Sequence, residues 1–163
     1  MREVHDVYCP ECAPPSTDAR GVVAVVAPSP GTRVTEMGWE IVPDSFRSAL
    51  IEVKDRYSSD LPIYILENGA AFADRVEADE RIRDEPRITY LRDYLGAVLD
   101  AIEAGVPVRG YFVWSLLDNF EWGFGYSRRF GLVHVDFATL ERRPKDSFHF
   151  YSELASGAAL DRE

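Results

Sequence analysis

The sequence predicts an α/β fold, and three observations carry the prediction. The run Leu61-Pro62-Ile63-Tyr64-Ile65-Leu66 is short, apolar and bounded by Pro62 and Gly69, the pattern of a buried parallel strand. Ile88, Leu91, Leu95, Val98, Leu99 and Ile102 then recur at helical spacing. A second apolar run, Val108-Arg109-Gly110-Tyr111-Phe112-Val113, follows that helix. Strand, helix and strand of these lengths make a βαβ unit, whose crossover is right-handed when the strands are parallel.

Residues 1–31 differ from the rest of the chain. They contain Pro10, Pro14, Pro15, Pro28 and Pro30 around the short run Val22-Val23-Ala24-Val25-Val26, and read as a loop-rich lead-in with one strand. From Ser45, the residues Phe46, Ala49, Leu50, Val53 and Tyr57 fall on one helical stripe and predict a helix with that stripe buried. After the helix ending near Ile102, Gly105 stands where a left-handed cap belongs. The tail predicts a hairpin over 130–136 and a last amphipathic helix around Phe148, Tyr151 and Leu154.

A composition of 46% hydrophobic and 12% aromatic residues is that of a globular chain. The net charge of −10 argues against nucleic acid and anionic membrane as partners, because phosphate binding needs clustered Lys and Arg. No apolar stretch approaches the ~18 residues of a membrane span, and residues 1–6 lack a signal-peptide core, so the expected location is cytoplasmic. Cys9 and Cys12 form one Cys-x-x-Cys with His5 nearby. Without a second ligand pair they read as reduced thiols, and neither metal nor cofactor is expected.

Two stretches carry chemistry. Residues 114–122 (Trp-Ser-Leu-Leu-Asp-Asn-Phe-Glu-Trp) pack two indoles and two carboxylates directly after an apolar strand. An indole offers a flat apolar plate to a sugar ring and an N–H at its edge, and a carboxylate accepts from neighbouring hydroxyls. Upstream, Glu67 stands where its strand ends. On the residues alone it is either the first polar position of a βα loop or a catalytic carboxylate, and Asn68-Gly69 supplies a turn. Asp118 and Asn119 are expected to organise their loop through backbone hydrogen bonds. His134 and His149, on apolar stretches, are expected to be satisfied structural histidines.

Taken in order, five blocks resemble glycoside hydrolase family 1, the retaining β-glucosidases and their relatives. They are Met37-Gly38-Trp39-Glu40-Ile41, Tyr64-Ile65-Leu66-Glu67-Asn68-Gly69, residues 108–122, Gly125-Tyr126-Ser127-Arg128-Arg129-Phe130-Gly131-Leu132-Val133, and Arg143-Pro144-Lys145-Asp146-Ser147. The match runs over about residues 32–151. One departure is Leu66, where the family commonly has Thr.

The resemblance implies that residues 32–163 are the C-terminal portion of a (β/α)8 TIM barrel, about the last two or three βα units. A whole barrel needs ~250 residues and this chain has 163. It also implies β-glucosidase chemistry on a β-linked glucoside or related small saccharide. Glu67 is then the nucleophile. Glu121 grips the outer hydroxyls of the glycone, Trp122 hydrogen-bonds beside it, Trp114 is the floor, Phe130 a wall, and Trp39 lines the aglycone side. Glu67 and Glu121 should share one pocket at the C-terminal ends of adjacent strands, and the Trp114–Ser115 peptide bond should be cis.

Retention needs two carboxyl groups ~5 to 5.5 Å apart. The family's acid/base lies in an Asn-Glu-Pro stretch, and no such stretch occurs in these 163 residues. Alone, the chain is therefore expected to be inactive, and its protein partner to be an N-terminal half-barrel or a second copy. The alternative is a non-catalytic sugar-binding module or a degenerate remnant.

Overall fold

The computed structural model describes residues 28, 30–57 and 60–161. The expectations for Val22–Val26, His5, Cys9 and Cys12 lie outside the described residues. Helix α1 (Pro43–Tyr57) leads into strand β1 (Ile63–Asn68), helix α2 (Glu85–Glu103) and strand β2 (Val108–Val113). Strand β3 (Val133–Val135), strand β4 (Arg142–Pro144) and helix α3 (Asp146–Ala155) complete the order. β1 and β2 pair in parallel and β3 and β4 antiparallel, so the predicted βαβ unit is present.

Local chemistry sets the boundaries of α2. Pro86 sits in the first turn, where its missing N–H is no loss. At the other end Gly105 takes a positive φ of 85°. Its N–H donates to the Ile102 carbonyl at 2.8 Å and the Val106 N–H to that of Ala101 at 3.0 Å, a Schellman closure that satisfies two orphan carbonyls.

The helix stripes differ from those expected. In α1 only Leu50 is fully buried, flanked by Phe46 and Ile51, whereas Ala49, Val53 and Tyr57 are exposed. In α2 the buried face is Arg87, Tyr90, Leu91, Tyr94, Ala97, Val98 and Ala101, with Leu99 and Ile102 exposed. A two-stranded sheet is narrower than the helices it supports, so each helix buries only the part of its apolar surface that lies over a strand or the other helix.

The same shortage explains β1. A parallel strand is buried on both faces only when both faces are covered. Ile65 packs into the cluster of Leu50, Val98, Ala101 and Val106, but Tyr64 and Leu66 are 55% and 71% exposed. The expected buried strand is therefore half-buried. A second cluster, Ala70, Tyr90, Leu91, Tyr94 and Leu132, joins α2 to α3 through Phe148 and Tyr151.

The predicted hairpin lies further along than 130–136. β3 turns back only at β4, and the Asp136 carboxylate accepts the Ala138 and Thr139 N–H groups at 2.9 and 3.1 Å to close the reversal. The last helix lies where the periodicity predicts it. No helix among the described residues is long and apolar enough to cross a membrane.

Candidate active site

The site grows from the C-terminal ends of β1 and β2. Their register contains an irregularity: Ile65 pairs with Tyr111 and Asn68 with Val113, so three steps on β1 oppose two on β2. One extra residue in a strand re-aims its side chains. Here it returns Asn68 to the helix-facing side, where its Oδ1 accepts the Tyr111 hydroxyl at 2.7 Å. Burial, reinforced by the neighbouring Tyr90, pushes the Tyr111 phenol up, so it remains a donor. Leu66 and Glu67 are both left on the exposed side. Among the described residues the Glu67 carboxylate makes no hydrogen bond or ion pair, which leaves it available to a ligand.

Gly69 has a role beyond the expected turn. A Cβ there would lie 1.6 Å from the Trp114 carbonyl oxygen, so only glycine lets the two strand ends approach. The Trp114 N–H donates to the Asn68 carbonyl at 3.0 Å, fixing the start of the second loop beside the residue that follows Glu67. The Trp114–Ser115 peptide bond is cis.

Within that second loop, Asn119 Nδ2 donates to Ser115 Oγ at 2.9 Å and to the Leu117 carbonyl at 3.1 Å. The Glu121 N–H donates to the Gly125 carbonyl at 2.7 Å, pinching off a tip that presents Trp122, 89% exposed. Phe130 is buried with Met37 and Ala71, and its ring centroid lies 6.2 Å from that of the half-exposed Trp39. Trp39, Trp114 and Trp122 are the three tryptophans of the chain.

Beneath these residues lies a chain of buried charges. Arg87 grips Asp74 through both guanidinium amines at 3.1 and 2.8 Å, and also contacts Asp84. Asp84 in turn accepts the Ser147 N–H at 2.8 Å. Lys145 Nζ donates to Asp74 at 2.5 Å and to Asp118 at 3.0 Å. Asp118 completes its set with Arg129 at 2.9 Å and the N–H groups of Gly131 and Val135 at 2.9 and 3.3 Å. Three carboxylates thus meet three cations, as burial of charge requires. Burial and the neighbouring Arg87 hold the Lys145 ammonium below the usual lysine range, against the pull of Asp74 and Asp118.

The glycosyl hydrolase family 1 model matches residues 3–159, nearly the whole chain. The chain belongs to glycosyl hydrolase family 1. It is 51% identical to β-glucosidase A of Thermotoga maritima over 127 residues, 78% of this chain and 28% of the relative. It is 47% identical to the β-glucosidase of an Agrobacterium species over 132 residues, 80% of this chain and again 28% of the relative. A solved structure of the Thermotoga maritima β-glucosidase, in complex with castanospermine, superposes with a TM-score of 0.79 at 49% identity, covering 82% of this chain and 30% of that one. The chain thus spans less than a third of the length of these relatives.

Within this family 1 chain, Glu67, Trp114, Glu121 and Trp122 all lie on segments at one end of the β1–β2 pair. Open grooves among the described residues lie elsewhere, between α1 and α2, beside Phe112 and Tyr151, and beside Arg33 and Phe72. A barrel pocket is assembled from the loops of all its strands, and two strands supply two loops. Asp118 meets the expectation that it bonds backbone. His134 does not read as satisfied, since its Nδ1 is buried without a partner, and His149 is exposed. No cluster of His, Cys, Asp and Glu among the described residues could hold a metal ion. The residues that sequence reasoning missed are Asp74, Asp84, Arg87, Arg129 and Lys145. The available signal was Arg87, a charge on the face that Tyr90, Leu91 and Tyr94 bury, where charge is almost never found unpaired.

Proposed function

We propose that this chain is the nucleophile-bearing C-terminal portion of a retaining β-glucosidase, about the last two or three βα units of its barrel, with Glu67 as nucleophile. The observation that carries the reading is the exposed Glu67 carboxylate, which has no bonding partner among the described residues and follows the β1 irregularity beside Trp114. In the first step a Glu67 oxygen attacks the anomeric carbon as the bond to the leaving oxygen breaks. That oxygen takes its proton from a second carboxyl group, which then accepts a proton from the water that cleaves the glycosyl ester and frees Glu67. Trp114 supplies apolar surface against the sugar, and Glu121 and Trp122 hydrogen bonds to its outer hydroxyls, whereas Phe130, expected as a wall, is only 4% exposed and packs behind Trp39. Trp39 lines the aglycone side.

The second carboxyl group is assigned to a partner carrying the rest of the barrel. General acid catalysis alone supplies ~10² to 10⁴ in rate, so the isolated chain should hydrolyse p-nitrophenyl β-glucoside negligibly. Co-expression with the N-terminal part of a β-glucosidase relative should restore hydrolysis that Glu67→Gln abolishes while assembly persists. Ordinary turnover by the isolated chain, lost in Glu67→Gln, would overturn the need for a partner. Assembly with no hydrolysis would overturn the enzymatic reading.

A further inference from the structure

Two segments must keep a fixed separation if Glu67 and the sugar-gripping residues are to act on one ring. One leaves β1 and carries Asp74, and the other leaves β2 and carries Asp118. Lys145 belongs to neither. It stands at the start of α3, its N–H donating to the Leu132 carbonyl at 3.0 Å, and its side chain is wholly buried. From there its ammonium reaches Asp74 on the first segment and Asp118 on the second. Each carboxylate is also held on both of its oxygens by other groups, Asp74 by Arg87 and Asp118 by Arg129 and two backbone N–H groups, so neither is free to follow the ammonium if it moves.

Buried ion pairs are a poor route to stability, because well-packed apolar residues of the same volume serve as well or better. What charge-assisted hydrogen bonds add is direction and length, where apolar contacts tolerate sliding. We propose that Lys145 is a positioning residue that locks the Glu67 segment to the segment bearing Trp114, Glu121 and Trp122. The functional meaning rests on the glucosidase reading above; the geometric claim does not.

The test uses the full chain labelled with 5-fluorotryptophan, whose three fluorine signals are assigned by Trp→Phe variants. Lys145→Met leaves one carboxylate uncompensated and should lower Tm. Lys145→Met with Asp74→Asn removes one charge of each sign, leaving Arg87 with Asp84 and Arg129 with Asp118, and should recover most of the Tm. In both, the Trp114 and Trp122 signals should remain displaced. Leu50→Ala, in the apolar cluster away from this junction, should lower Tm without displacing them. Wild-type signals in the double variant, or equal displacement by Leu50→Ala, would make Lys145 a fold residue only.

In the reconstituted assembly, the double variant should lose about tenfold or more in kcat at unchanged assembly yield, since small misplacements of reacting groups are costly. An unchanged kcat would also overturn the proposal. If the wild-type assembly is inactive, the glucosidase reading fails and the fluorine spectra still decide the positioning role.

Discussion

The apolar cluster between the helices and the charged junction at the strand ends hold the same βαβ unit by opposite means. Leu50, Ile65, Val98, Ala101 and Val106 bring α1, α2 and β1 together by burial, which is non-directional and tolerates substitution at similar volume. Asp74, Asp84, Arg87, Asp118, Arg129 and Lys145 bring together the segments that follow β1 and β2 by bonds of fixed length and direction. The first kind of contact makes the unit fold. The second decides where its functional loops stand, and it lies at the end of the strands where (β/α)8 enzymes place their chemistry.

The largest effect should come from Gly69→Ala, which attacks the backbone contact on which the junction is built. The added methyl would lie 1.6 Å from the Trp114 carbonyl, and that atom belongs to the backbone, which cannot step aside as a flexible side chain could. A loss above ~4 kcal/mol is expected, at the extreme of single substitutions, and denaturant titration measures it. A loss below ~1 kcal/mol would mean that the two strand ends can separate cheaply.

Next comes the direct contrast between the two regions. Arg87→Met leaves Asp84 buried without a cation and Asp74 with Lys145 alone and should cost ~3–5 kcal/mol, whereas Leu50→Ala leaves a small hole in the apolar cluster and should cost about 2 kcal/mol. Thermal unfolding of the two variants side by side ranks them. The reverse order would place the weight of stability in the apolar cluster and leave the junction as orientation alone.

Trp122→Ala sharpens the contrast from the functional side. With 89% of its surface already exposed, Trp122 should contribute within ~0.5 kcal/mol to folding, yet its loss should weaken binding of deoxynojirimycin by the reconstituted assembly. Titration calorimetry and a melting curve on the same preparation separate the two quantities. An unchanged affinity would remove Trp122 from the glycone site.

How much was legible follows the same division. Strand and helix periods and the Gly105 cap were readable because each is a local pattern, and Glu67, Trp114, Glu121 and Trp122 could be singled out because each sits in a motif within the family match. The buried faces were misread where apolar spacing outran the surface available to cover it: Val53, Tyr57, Leu99 and Ile102 obey the helical period but stay exposed, since the other described residues do not cover them. Gly69 could not be read as a steric requirement because its neighbour, Trp114, is 45 positions away in the chain. The junction was hidden for a similar reason: Lys145 and Asp74 are separated by 71 positions, and a pairing of that kind leaves no spacing in one sequence.

The smallest predicted effect concerns acid. The His134 ring lies on β3 among Arg129, Lys145, Asp118 and Asp74, with its Nδ1 buried and unpartnered. Burial first, and then the Arg129 and Lys145 charges, hold its pKa below the usual 6.5 against the opposing pull of Asp118 and Asp74. The folded state therefore favours the neutral ring. Well above pH 6.5 neither state is appreciably protonated at this group, and its contribution does not change with pH. As the pH falls below that value, the unfolded chain takes up the proton first, so stability is lost through the window down to the folded pKa. Melting curves at pH 7.5 and 5.5 should thus show a drop in Tm on acidification that His134→Gln reduces. His149 is exposed and shared by both proteins, so the difference between the two drops isolates His134. Equal drops would mean that the junction tolerates an additional positive charge, and that its balance of three carboxylates and three cations is looser than its bond lengths imply.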